Sequence, residues 1–106
     1  MKHFSPTQLS EHIGNPDSNP FLLDVREPWE YDICSIESSI SMPMGTIPEN
    51  IDDLDQSREI IVICHHGIRS KQVAMFLEHK GFTDVVNLTG GIDAWARDID
   101  INMSLY

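Results

Sequence analysis

The stretch of this 106-residue chain best equipped for chemistry is Cys64-His65-His66-Gly67-Ile68-Arg69-Ser70. Cysteine attacks as the thiolate, and helix N-termini and nearby cations stabilise that form. Gly67 permits a positive φ, which lets successive backbone N–H groups curl around one point. Such a loop holds a small anion: a thiolate, a persulfide or the oxygens of an oxyanion. Arg69, Ser70 and Lys71 then open a helix. Cations there oppose the macrodipole, and an anion held between loop and helix would offset the cost. Without the cations, the same stretch would read as an inert buried cysteine before an ordinary turn.

Neighbouring residues are weighed against this site. His65 and His66 either add positive charge and select a substrate or face solvent as plain loop residues. No metal site is expected, because adjacent side chains from Cys64 to His66 cannot easily converge on a tetrahedral ion. No organic cofactor is called for. Asp24 and Arg26 follow a buried strand and are expected to be structural, with Arg26 paired to Glu30 in the wall of the site. Cys34 reads as a small apolar filler, with a resolving thiol as the alternative. Trp29 and Trp95 are assigned to the core, and Gly90-Gly91 to a tight strand-to-helix connection.

The elements that must position these residues are legible. Ser5, Pro6 and Gln8 form an N-cap, a helix-compatible N1 and a capping box, with Phe4 and Leu9 at the staple positions and a stop near Gly14. Phe21–Val25 reads as a buried strand, Glu27–Ile33 as a short helix after Pro28, and Ser39–Met42 as a short strand. Loops are expected over 14–20 and 44–57, the second holding a short helix. Glu59–Cys64 is a continuous β-branched run, the pattern of a strand covered on both faces, with Cys64 as its last residue. A helix over Arg69–Lys80 carries Val73, Phe76, Leu77 and Lys80 on one stripe, with Gly81 and Phe82 as its stop. Asp84–Leu88 is a further strand and Gly91–Ile99 a last helix. Alternating strands and helices predict an α/β fold with a mainly parallel sheet, whose ligands bind beyond the carboxyl ends of the strands, where Cys64 lies.

Composition sets the outer bounds. The length suits one domain spanning residues 1–106, with a folded surface of roughly 6,000 Å². The net charge of −10, from 17 acidic and 7 basic residues, leaves no basic stripe for nucleic acid or anionic membranes. No run of 18 apolar residues is present, and Met1–Pro6 lacks the apolar region of a signal peptide. With only two cysteines, a disulfide framework is not expected, and the cytoplasm is the expected location.

Cys-x-x-Gly-x-Arg-Ser after a β-branched strand resembles the active-site loop of rhodanese-like sulfurtransferases. The resemblance extends to Ser5-Pro6 with Leu9, to Leu23-Asp24-Val25-Arg26-Glu27 with Trp29-Glu30-Tyr31, and to Asn87-Leu88-x-Gly90-Gly91-Ile92-x-Ala94-Trp95. It implies a three-layer α/β fold, with helices on both faces of the central sheet. It also implies Cys64 as a nucleophile that carries sulfur as a persulfide. Under that resemblance His65, His66, Gly67, Ile68, Arg69 and Ser70 bind substrate, and Asp24 and Arg26 line the pocket. The partners implied are thiosulfate or a persulfide donor, including a protein persulfide, and a thiol or cyanide acceptor. The chain departs from the family at Cys34-Ser35-Ile36-Glu37-Ser38-Ser39, where Gly-His-Ile-Pro-Gly-Ala is usual, so altered turn geometry is expected there. A non-catalytic binding or regulatory module is the alternative. An arsenate reductase or phosphatase is disfavoured: those relatives resemble a Cys-x5-Arg loop, and only four residues separate Cys64 from Arg69.

Overall fold

The β-branched run Ile60–Ile63 forms β4, the central strand of a computed structural model that describes residues 1–106. Around it, in chain order, lie β1 (Lys2–Phe4), α1 (Pro6–Gly14), β2 (Phe21–Asp24), α2 (Pro28–Ile33), β3 (Ile40–Ser41), α3 (Ile47–Asn50), α4 (Ile68–His79), β5 (Val85–Leu88) and α5 (Gly91–Asp98). Short 3-10 turns at Met44–Thr46 and Ile51–Asp53 flank α3. The five strands run in the order β1-β5-β4-β2-β3, and every pairing is parallel. From β2 the chain moves outward to β3, then returns on the other side of β2 to β4 and β5. The carboxyl end of β4 is therefore where the winding reverses, and Cys64 is the next residue.

The strand period of two sends alternate residues of β4 to opposite faces. Ile60, Val62 and Cys64 join Leu23, Val25, Ile47, Val73, Ala74 and Leu77 in the core beneath α3 and α4. Ile61 and Ile63 join Leu9, Leu22, Leu88, Ile92 and Trp95 in the core beneath α1 and α5. Helices thus cover both faces, as expected, and the accessible surface is 5815 Å². No helix is long and apolar enough to cross a membrane.

The helix signals are met. The Ser5–Gln8 capping box forms in both directions. Gly81 adopts φ 99°, and the Phe82 N–H reaches the Leu77 carbonyl at 3.1 Å, closing the Schellman turn of α4. Three details differ. β4 stops at Ile63, one residue before Cys64. The buried stripe of α4 is Ser70, Val73, Ala74 and Leu77, with Phe76 only half-buried and Lys80 exposed, because the helix presents small residues to the close-lying sheet. β1, three residues long, carried no readable pattern of its own and forms by pairing with β5.

In the departed segment, Ser38 holds φ 71°, the one non-glycine residue at positive φ. An L-residue pays about 1 kcal/mol for that conformation. Ser38→Gly is expected to stabilise the fold by about 0.5–1 kcal/mol, the relief being partly offset by glycine's greater unfolded-state entropy. Urea unfolding of the pair would measure it; a neutral or destabilising result would contradict it.

Candidate active site

Because Cys64 follows a residue that faces α1 and α5, its side chain turns to the other side, under the start of α4. It is 1% exposed. The Gly67 N–H donates to Cys64 Sγ at 3.0 Å, with Gly67 in the left-handed conformation at φ 97°. The thiol reaches Ser70 Oγ at 3.3 Å, and the Ser70 hydroxyl donates to Asn87 Oδ1. Ser70 is fully buried, so the predicted loop-to-helix frame does converge on the sulfur. Asn87 is an addition the sequence did not reveal, since only the register of β5 beside β4 brings it there.

The loop is held from behind by α5. Ile92 N–H donates to the Cys64 carbonyl at 2.8 Å, and Asp93 N–H to the His65 carbonyl at 3.0 Å. Gly91, at φ 60°, lies so close that a Cβ would sit 2.4 Å from both carbonyl oxygens. The Gly90-Gly91 pair is therefore more than a tight connection. It lets a helix N-terminus dock on the loop, fixing both carbonyls away from the sulfur.

The two arginines form pairs other than the one expected. Arg26 binds Asp24 rather than the Glu30 carboxylate, through Nε to Oδ1 at 2.9 Å and Nη2 to Oδ2 at 2.7 Å. Residues 24 and 26 share one strand-like face, whereas Arg26 precedes α2 and meets only the Glu30 backbone carbonyl, at 3.3 Å. Asp24 and Arg26 are both 0% exposed. They stand behind the pocket wall and do not line it. The Glu30 carboxylate instead takes a two-pronged contact from Arg69, Nη1 to Oε1 at 2.6 Å and Nη2 to Oε2 at 2.9 Å. The anion that offsets the cation at the start of α4 is thus a protein carboxylate. Arg69, expected to face a bound anion, commits both terminal amino groups to it.

Glu30 is nearly buried, and hydrogen bonding from Arg69 holds its carboxyl down at about 2 against an ordinary 4.5, overcoming the opposing effect of burial. A lowered folded-state value means that the pairing stabilises fully above the unfolded value and fades as pH falls toward about 2. Unfolding free energy is expected to fall across the window from about 4.5 to about 2. Glu30→Gln should be less stable near neutrality and show a shallower acid loss. Equal acid slopes in the two proteins, measured by urea titration at stepped pH, would contradict this.

One participant had no sequence signal. The Tyr106 hydroxyl accepts from Arg26 Nη1 at 3.0 Å and donates to Glu30 Oε2 at 2.8 Å, linking the two ion pairs. Burial pushes its phenol up to about 12. Its ring stacks on His65 at 4.1 Å and meets Trp29 edge-on at 5.8 Å; His65 in turn stacks on His66 at 4.0 Å. His65 is half-buried, and burial, aided by His66, pushes its imidazole below the usual range, away from the cationic role considered for it. His66 is exposed, as is Ile68, at 70%. Trp95 is core, but Trp29 is 61% exposed: on the short rim helix α2 the buried position is Glu30. Polar atoms of His65, His66 and Asp93 come within 4.8 Å of one another.

The family described as Rhodanese-like domain matches residues 5–98. YtwF of Bacillus subtilis, provisionally named a sulfurtransferase, is 38% identical over 95 residues, covering 90% of each chain. A protein of Allochromatium vinosum named Sulfurtransferase is 34% identical over 89 residues, covering 84% of this chain and 82% of its own. The crystal structure of a rhodanese-like domain protein from Staphylococcus aureus superposes with a TM-score of 0.83 at 30% identity, covering 90% of this chain and 91% of its own. Fold, family match and relatives agree, and the chain belongs to the rhodanese-like domain family.

Proposed function

We propose that the protein is a sulfurtransferase acting in the cytoplasm, with residues 1–106 working as one unit and Cys64 as the nucleophile. The Cys64 thiolate attacks the outer sulfur of thiosulfate or of a persulfide. A new S–S bond forms at Cys64, and the donor's own S–S bond breaks, its electron pair leaving with sulfite or thiolate. A thiophilic acceptor, cyanide in an assay or a thiol in a cell, then takes the outer sulfur and returns the Cys64 thiolate. This is covalent, two-step catalysis with no redox cofactor in its balance.

The observation that carries the reading is the Gly67 N–H directed at the buried Cys64 Sγ at 3.0 Å inside a short loop. A loop with four residues between Cys64 and Arg69 is a small cradle, suited to a sulfur bearing one more sulfur. In this reading Arg69 is a positioning residue that ties α4 to α2 through Glu30, and Ser70 orients the thiol from below. Sulfite is a good leaving group and needs no general acid.

The test is intact mass after incubation with thiosulfate, and separately with glutathione persulfide, followed by cyanide. A gain of one sulfur that cyanide removes supports the proposal. No gain with either donor would sink it, and hydrolysis of a phosphate ester or reduction of arsenate at Cys64 would replace it.

A further inference from the structure

From the rim of the Cys64 loop, we infer that Tyr106 and Trp29 form a specificity wall favouring sulfur donors that carry an apolar organic group. The inference rests on sulfur transfer at Cys64 and adds the class of donor.

Four rings from three separate parts of the chain meet in one row: Trp29, Tyr106, His65 and His66. The row includes His65, the residue next to the nucleophile. Ile68, 70% exposed, stands on the same loop. The sulfur being transferred must come within bonding distance of Cys64 Sγ, so the group it carries lies one bond further out, where the row that includes His65 can meet it. An exposed Trp at the far end of the row and an exposed Ile on the loop offer apolar contact to that group.

Charge points the same way. Both terminal amino groups of Arg69 are engaged by Glu30, and Arg26 is fully buried on Asp24. The one arginine at the rim is thus neutralised, in a chain of net charge −10. A compact dianion such as thiosulfate finds no unpaired arginine there. An organic donor finds the rings.

Tyr106 is the keystone of this row. Beyond Met103 the backbone makes no hydrogen bonds to the rest of the chain, and residues 104–106 are pinned by the Tyr106 side chain alone. Replacing that side chain should remove the middle of the wall without disturbing a strand or helix.

Methanethiosulfonate and benzenethiosulfonate provide matched probes. Each gives its outer sulfur to the Cys64 thiolate and leaves as a sulfinate, so charge and atoms balance identically and only the organic group differs. Rates of Cys64 loading are read by intact mass and divided by the rates of a free thiolate with the same donors. The corrected preference for benzenethiosulfonate is expected to be about fivefold or more in the native protein. It should fall toward unity in Tyr106→Ala and in Trp29→Ala, and persist in Tyr106→Phe, which keeps the ring and loses the hydroxyl. A native preference near unity, or one unchanged by both alanine variants, overturns the wall while leaving sulfur transfer standing. Loading by neither donor overturns both.

Discussion

Cys64→Ser is expected to lower sulfur transfer by about a thousandfold or more while leaving the fold intact, as removal of a covalent nucleophile does elsewhere. The side chain is 1% exposed and accepts one hydrogen bond from Gly67, which a serine oxygen can also accept. Ser70 lies within reach of the replacement as well. Serine is close in volume and satisfied at the same two points, so unfolding is not a route to the loss. Reactivity is. A serine hydroxyl ionises far above neutral pH, and the oxygen–sulfur bond it would form is weaker than the S–S bond of a persulfide. Thiocyanate formation from thiosulfate and cyanide measures the loss, and thermal unfolding measures the fold. Turnover within tenfold of the native protein would remove Cys64 from the chemistry.

Asp24→Ala should produce the largest loss of stability, about 3–5 kcal/mol, because it leaves a fully buried guanidinium without its counter-charge. Arg26 would keep its contacts to the Cys34 carbonyl, at 2.7 Å, and the Tyr106 hydroxyl, at 3.0 Å. Neither neutralises it. For a domain of this size the melting temperature should drop by about 15–25 °C. The double variant Asp24→Leu/Arg26→Met removes both charges and should recover much of the loss, since well-packed apolar replacements of buried pairs are often neutral. A single variant that melts within a few degrees of the native protein would mean that water or the Glu30 carboxylate reaches Arg26.

Local signals in the chain carried most of the architecture. The Ser5–Gln8 box and the Gly81–Phe82 stop each involve residues within a few positions, so their geometry is written in the sequence. The β-branched run before Cys64 identifies the central strand to within a residue, while the side of the sheet taken by the sulfur emerges only in the fold. The site's frame of Cys64, Gly67 and Ser70 was legible for the same reason. Its electrostatics were not. Glu30 is paired in expectation with Arg26, four positions away, but its partner Arg69 is 39 residues distant and reaches it only because the fold brings the start of α4 near α2. Tyr106 sits 76 residues from Glu30 in a segment with no periodicity or motif. Trp29 looked like core because tryptophan usually is; the short rim helix turns it outward. Such partnerships arise from tertiary proximity, which no local pattern encodes.

The docking of α5 on the reactive loop has a consequence for the order in which the protein matures. The chain is synthesised from its amino end, so the loop exists before Ile92 and Asp93, whose N–H groups hold the Cys64 and His65 carbonyls. Until they arrive, those two carbonyls lack the partners that hold them in the folded protein. The loop around Cys64 therefore takes its finished shape only when the last helix has closed behind it.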